Sequence, residues 1–347
     1  MNYFLKIILT FFLVLSSLSF SGQSLKDMTF GSEYSLDVIS WNLEWFPKNG
    51  QTTLDSLALI INTIKPEVIA LQEINDVSAF NTLLTMLPLY EGSYSSFSNL
   101  KLAYIYKKSL TINNIFTISS NATYNFAGRP PYCLELVYDN QTFFLVNNHL
   151  KCCGDGALQL SDSSDEECRR LNAMTIIKQY IDDNLNNENV IVLGDLNDIL
   201  TDNVANNIFQ DIINDSSNYV FADIDIANGP SNNWSYPNWP SHIDHILITN
   251  ELFPLFENDS SYIDLINVKD FLAGGFSAYD NILSDHVPIG MSLHTGNFSS
   301  LININNNSDK QLIKKIDLMG REAVHAYNQP LIYIYNNGEV EKKIFVK

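Results

Sequence analysis

Positive charge is what this chain has least of. Its 347 residues carry 20 Lys and Arg against 39 Asp and Glu, a net charge of −19. So acidic a body repels a polyanion, which excludes tight, salt-bridged nucleic-acid binding. Turnover of a phosphodiester stays open, provided metal ions neutralise the substrate locally. The deficit is uneven: residues 308–347 hold seven basic against five acidic side chains, so residues 1–307 carry −21. Seven of the thirteen basic residues before 308 fall between Lys101 and Arg170, a distribution that fits either a local positive rim or an ordinary surface.

Cysteine is scarce as well. The four present, Cys133, Cys152, Cys153 and Cys168, crowd into one section. A bond between the neighbours Cys152 and Cys153 is strained, and the two other pairings both tie the loop after Lys151 to Cys133 and Cys168. A zinc site competes with these, but no C-x-x-C pair is present. A structural disulfide role is therefore expected. Long apolar runs are missing beyond the N-terminus, and the one from Ile7 to Leu15 is too short to cross a bilayer. It follows Lys6 and precedes Ser19 and Ser21, the pattern of a signal peptide over residues 1–21. Export makes disulfides permissible, and with no later run long enough to span a bilayer the mature protein is expected to be soluble, and a monomer.

Apolar content is ample: 46% of the chain is hydrophobic, enough for one large core and a small appendage. Ser35 to Trp41 alternates as a strand and runs into Asn42-Leu43-Glu44-Trp45-Phe46-Pro47. Leu54, Leu57, Ile60, Ile61 and Ile64 have helical spacing, and Pro66 ends that helix. Val68 to Leu71 is a buried strand finishing in Gln72-Glu73, and Asp76 caps a second helix that ends before Pro88. Strands are predicted at Leu102–Tyr106, Tyr132–Tyr138 and Phe143–Asn148, the last two joined by a hairpin turn at Asp139-Asn140-Gln141. An amphipathic helix over about 166–185 leads to Val190-Ile191-Val192 and the turn Gly194-Asp195-Leu196-Asn197. His242-Ile243-Asp244-His245 precedes another strand, and Ser284-Asp285-His286 opens the last one before Gly296.

One feature repeats along these runs: apolar strands end in polar side chains. In order they are Asn42, Glu44, Glu73, His149, Asp195, Asn197, Asp244, Asp285 and His286. Each alone is an ordinary turn former, cap or structural histidine. Together they are what metal-assisted phosphodiester hydrolysis needs. Carboxylates bind Mg²⁺ or Mn²⁺, a histidine fixed by an aspartate moves protons near neutral pH, and amides orient water without adding charge.

Six blocks carry a family resemblance: Trp41-Asn42-Leu43-Glu44, Leu71-Gln72-Glu73, Asn148-His149-Leu150, Gly194-Asp195-Leu196-Asn197, His242-Ile243-Asp244-His245-Ile246 and Ser284-Asp285-His286. In this order they resemble the endonuclease/exonuclease/phosphatase superfamily over roughly Leu36 to Leu293. The resemblance implies an α/β fold, a four-layer sandwich of two packed, mostly antiparallel sheets flanked by helices, over residues 30–296. It implies metal ligands at Glu73, Asp285, Glu44 and Asn42, with Mg²⁺, Mn²⁺ or Ca²⁺ as the cation. His149, Asp195, Asn197, Asp244 and His286 would be catalytic, and Arg129 and Asn42 would contact substrate phosphate. His242 and His245 are expected to be local hydrogen-bonding groups. The histidine at 149 is similar to the form in secreted deoxyribonucleases, bacterial sphingomyelinases and inositol-phosphate 5-phosphatases.

Past an Asn-rich linker at 297–307, residues 308–347 return to a β pattern: a small C-terminal β domain resembling the sorting domain of the Por, or type IX, secretion system. It implies passage through that machinery to the outer surface or medium. The leading expectation is an extracellular endonuclease acting on DNA or RNA. A sphingomyelinase-like, phospholipid or inositol-phosphate phosphoesterase is the alternative within the family, with Phe271 to Phe276 as a lipid-touching loop. A non-catalytic surface-binding protein is the alternative from another class.

Overall fold

The structure is a computed structural model that describes residues 24–32, 34–296, 312–316, 330–335 and 340–344. The expected signal peptide and linker lie outside the described residues. The chain divides into two compact units, Met1–Thr295 and Gly296–Lys347.

The first unit is built from twelve strands in two sheets. β1 (Ser35–Phe46), β2 (Val68–Ile74), β3 (Tyr90–Tyr94), β4 (Lys101–Lys107), β11 (Tyr262–Leu265) and β12 (Ile289–His294) form one, in the order β11-β12-β1-β2-β4-β3. β5 (Thr111–Thr117), β6 (Tyr132–Tyr138), β7 (Gln141–His149), β8 (Asn189–Asp195), β9 (Tyr219–Phe221) and β10 (Asp244–Thr249) form the other, in the order β5-β6-β7-β8-β10-β9. Among the described residues two pairings are parallel, β1 with β2 and β7 with β8. A parallel pair needs a crossover, and each has a helix in it: α1 (Gly50–Ile64) for the first, α3 (Glu166–Asn184) for the second. α2 (Val77–Thr85) follows β2, started by Asp76, whose carboxylate accepts the amides of Ser78 and Ala79. α4 (Gly275–Ile282) comes late in the unit. Among the described residues no helix is long and apolar enough to cross a membrane.

The period-two alternation of β8 sorts its side chains between two cores. Ile191 and Leu193 join Leu36, Val38, Leu145 and Ile246 in a large core between the sheets, continuous with Leu57 and Ile61 of α1. Val190 and Val192 point the other way, to a second core with Met174, Ile177 and Ile181 of α3. Helix, sheet, sheet, helix are therefore the four layers. Asn147 is a polar staple between the sheets. Its Nδ2 donates to the carbonyls of Leu71 and Ala103, each at 3.0 Å, and its Oδ1 accepts Gln72 Nε2 at 2.8 Å. A buried amide satisfied on both ends costs little and holds the strands in register.

The topology gathers the polar residues at one end. β1, β2, β7 and β8 deliver Asn42, Glu73, His149 and Asp195 at their carboxyl ends. The antiparallel β10 and β12 bring Asp244 and the preceding Asp285-His286 to the same end at their beginnings. Gly194 makes close approach possible: at φ +142° it faces Asn148 across the parallel pair, and a Cβ there would lie 2.0 Å from the Asn148 carbonyl oxygen.

The second unit shows a three-stranded antiparallel sheet, β13 (Leu312–Ile316), β14 (Pro330–Tyr335) and β15 (Val340–Ile344), with β14 in the middle. The turns expected at Met319-Gly320 and Asn336 to Gly338 lie outside the described residues.

Candidate active site

Glu73, His149, Asp195, Asn197, Glu44, Asp285 and His286 line one cavity of about 310 Å³, with Trp45, Tyr236 and Ile243 completing much of its wall. The backbone is strained where three of these residues turn out of their strands: Glu44 has φ 37°, Glu73 φ 63° and Asn197 φ 56°. Positive φ costs a non-glycine residue of order 1 kcal/mol or more and is found where surrounding bonds over-determine the geometry. Those bonds are present. Trp45 N–H donates to Glu73 Oε2 at 2.9 Å, Glu44 N–H to Asn42 Oδ1 at 2.9 Å, and Asn197 N–H to Asp195 Oδ1 at 3.0 Å.

Asn42 and Asp244 stand just behind the wall. Asn42 Nδ2 bridges Asp195 Oδ2 at 2.9 Å and Glu73 Oε1 at 3.3 Å, so one amide sets the spacing of two carboxylates. Asp244 Oδ2 accepts from His286 Nδ1 at 2.8 Å, which turns His286 Nε2 toward Asp195 Oδ2 at 3.8 Å and Asp285 Oδ1 at 3.9 Å. His149 Nε2 lies 3.5 Å from Asp195 Oδ2 and 3.8 Å from Glu73 Oε1.

The two histidines are held in opposite states. Burial alone would lower His286, but the carboxylates of Asp244 and Asp195 raise it to about 10. His149 is pushed well down by burial and by the positive charges of Arg129 and His286. Asp195 is raised to about 7, chiefly by burial, with His286 drawing it down and Asp244 adding repulsion. Asp285 is raised to about 6 by burial, against the pull of His286 and reinforced by Glu44. A site that holds a charged imidazole, a neutral one and carboxylates titrating near neutrality is arranged for proton transfer.

Several expected and unexpected positions stand out. Arg129 does not line the cavity: its Nε donates to the His149 carbonyl at 3.0 Å and its Nη2 to that of Leu150 at 2.9 Å, bracing the strand end from behind. His242 and His245 are local groups, both bonded to the buried Asp223 Oδ2, with His245 Nε2 on the Asp198 carbonyl at 2.8 Å. No continuous positive rim forms from Lys101 to Arg170. Lys107 pairs with Glu67 at the far end of β4, Arg170 is buried between Glu167 and Asp198, and Arg169 stacks 4.3 Å over the Tyr124 ring. The expected disulfides are also absent, since all four cysteines are free thiols. Cys133 is enclosed in the α3-side core, and Cys168 is buried in the first turn of α3. Cys152 and Cys153 are exposed at the cavity, their sulfurs 3.0 Å apart.

Sequence reasoning missed four contributors. Lys48 bridges Glu44 and Asp280, placing a cation beside the acidic wall. Tyr236 packs its ring 4.9 Å from that of His286. Ser284 Oγ donates to the Asn42 carbonyl at 2.7 Å and accepts from His286 N–H at 3.0 Å. Tyr279, wholly buried, takes Trp41 Nε1–H at 3.0 Å and donates to the His286 carbonyl. Ser284 sits inside a quoted block, so the signal was there; Lys48, just past β1, and Tyr236 and Tyr279, away from any strand end, lie outside the quoted blocks.

The donor set suits a hard divalent cation. Glu73, Glu44 and Asp285 offer carboxylate oxygens to one cavity, and Asp285 Oδ1 is buried with no hydrogen-bond partner. Carboxylate oxygens such as these favour Mg²⁺, Mn²⁺ or Ca²⁺ over softer metals.

An acidic cavity at the joined ends of two packed sheets, with a carboxylate-held imidazole, is equipped for metal-assisted acid–base chemistry. The chain belongs to the endonuclease/exonuclease/phosphatase family, whose pattern matches residues 39–286. Members of that family are metal-dependent phosphoesterases and nucleases. Among solved structures, the chain is similar in fold to TDP2 of D. rerio in complex with a single-stranded DNA product, at 17% identity and TM-score 0.58, over 76% of this chain and all of that one. A truncated TDP2 of Caenorhabditis elegans aligns at 16% identity and TM-score 0.54, over 77% of this chain and all of that one. No curated protein matches by sequence.

Proposed function

We propose that this chain is an exported, divalent-cation-dependent phosphodiesterase whose substrate is nucleic acid. The observation that carries the hydrolase reading is the meeting of Glu73, Asp195, Asp285, His149 and the Asp244-held His286 in one cavity. Nucleic acid is favoured over lipid by the wall. Trp45 is 61% exposed at the cavity and Tyr236 lies beside it, two aromatic faces on which a base can stack. The D. rerio TDP2 structure with its DNA product supports the same reading. The lipid alternative loses its contact loop: Phe271, Leu272 and Phe276 pack against the core. Export, by a signal peptide and then the type IX machinery, is supported by the sequence pattern of the two termini.

When bound at Glu73 and Asp285, with Glu44 alongside, the cation supplies Lewis-acid polarisation of a phosphoryl oxygen. The chain's own groups do the rest. Asp195, held by Asn42, orients a water with Asn197 and takes its proton as the oxygen attacks phosphorus in line. His286, kept protonated by Asp244, donates a hydrogen bond to the crowded phosphorus oxygens, and His149 adds a second contact. The P–O bond to the leaving nucleotide breaks as His286 Nε2 passes its proton to that oxygen, and the proton that Asp195 took from water then restores His286.

Glu73→Gln and His286→Ala should each lower hydrolysis of DNA or RNA by on the order of 10²–10⁴-fold with far-ultraviolet circular dichroism unchanged. Parallel assays on duplex DNA, RNA, sphingomyelin and a phosphomonoester, with and without EDTA, test the substrate class. Turnover of sphingomyelin alone overturns the nucleic-acid reading, and full activity in either variant overturns the site.

A further inference from the structure

Away from the cavity, three carboxylates meet where the loop over 151–165 joins α3. Asp155, Asp165 and Glu167 each bring one oxygen within 4.8 Å of the other two. Glu167 is 2% exposed, and its Oε2 is buried without any hydrogen-bond partner. Its Oε1 accepts Gly156 N–H at 2.8 Å and faces Arg170 Nη2 at 3.1 Å. That guanidinium is shared: Nε goes to Asp198 Oδ2 at 2.8 Å, and Nη1 to the carbonyls of Lys151 and Cys153. One cation thus answers Glu167 and Asp198, while Asp155 and Asp165 add two further negative charges. Both are partly committed to the backbone, Asp165 Oδ2 to Gln159 and Cys168 N–H and Asp155 Oδ1 to Ala157 N–H, so their positions are fixed rather than splayed by repulsion. The loop wraps this point closely. At Gly154, φ +109°, a Cβ would come within 2.2 Å of Glu167 Oε1.

We propose that Asp155, Asp165 and Glu167 bind a Ca²⁺ ion that ties the loop to the start of α3. The uncompensated charge and the orphaned Glu167 oxygen both call for a cation, and an all-carboxylate set takes a hard one. Size favours calcium. Ca–O bonds of about 2.3–2.6 Å let ligating oxygens stand up to about 5 Å apart in a flexible shell, whereas magnesium at about 2.1 Å draws them to about 4 Å in a strict octahedron. Loop carbonyls and water complete the shell. Cys152 and Cys153 belong to this loop and to the cavity wall, so the ion stiffens one side of the cavity without entering it. The inference stands apart from the phosphodiesterase reading, because its ligands are not among the cavity's.

The test is calorimetric titration of the chelator-stripped, full-length protein with CaCl₂. It is run on Glu73→Gln, which weakens the cavity's own donor set, and on the same protein carrying Asp155→Asn. Asp155 is exposed, so its replacement leaves the core intact. Glu73→Gln should bind one Ca²⁺, and adding Asp155→Asn should weaken that binding at least tenfold. Calcium should also slow proteolytic cleavage between residues 155 and 165 in the first protein and not in the second. Equal calcium affinity with and without Asp155→Asn, or no uptake in the Glu73→Gln background, overturns the proposal.

Discussion

Asp195 shows at the scale of one residue how the site is held at a cost. Burial and the Asp244 charge keep its carboxyl up at about 7, against the attraction of His286. A raised acid destabilises the fold once it ionises: the cost is absent below the ordinary carboxylate value near 3.8, grows as pH rises, and is complete above about 7. In cation-free protein, Asp195→Asn should therefore abolish hydrolysis yet raise stability by about 1–3 kcal/mol at pH 8, with little gain near pH 4. Denaturant unfolding at the two values checks it, and an equal or lower stability at pH 8 contradicts it. Glu73, His149 and Asp195 were legible in the sequence because each ends an apolar strand, where the chain must leave the sheet, and Asp285 because it leads into one. Arg129 was not. Whether a guanidinium reaches for substrate or braces a strand end depends on where the His149 and Leu150 carbonyls point, and only the folded backbone decides that.

Among elements, the β6–β7 hairpin was the plainest to read and delivers His149 to the cavity. Tyr138 pairs with Gln141 across a two-residue turn in which Asp139 and Asn140 both have positive φ, 48° and 62°. That is the mirror-image turn whose twist matches the strands, and Asp and Asn tolerate it better than other side chains. Asn140→Gly should raise stability by up to about 1 kcal/mol, and Asn140→Val should lower it by about 1–2 kcal/mol. Urea unfolding monitored by tryptophan fluorescence distinguishes the two. β3 and β5 escaped notice for the converse reason. Each lies at the edge of its sheet, and Tyr-Glu-Gly-Ser-Tyr and Thr-Ile-Asn-Asn-Ile-Phe-Thr lack the alternation or unbroken apolar run of a central strand. Their neighbours on the sheet, not their own composition, make them strands.

For the molecule as a whole, every group of the candidate site belongs to the unit ending at Thr295. That unit has its own cores, so a chain stopped after Gly296 should fold alone. Its kcat/KM on nucleic acid should match that of the full chain within about twofold, with an unchanged melting temperature. A large loss of either would mean that the C-terminal sheet supports the site. The layered architecture was legible through the resemblance that the six motif blocks carry; the two parallel pairs, each reached through a helix, are seen only in the folded chain. The pairing order was not, since β10 meets β8 only across the chain that also forms β9, and β12 returns from the far end of the unit to pair with β1.

The missing side chain at Gly194 has a further consequence. Since no side chain stands between Gly194 and the Asn148 carbonyl, the spacing of the two strands that carry His149 and Asp195 is set here by main chain. Mouth and rim can then be remodelled, by exchanging loops to admit bulkier or smaller substrates, while the reacting groups keep their separation. A methyl group at this one position would do what no rim change does: prise the two strands apart and put the reaction out of reach.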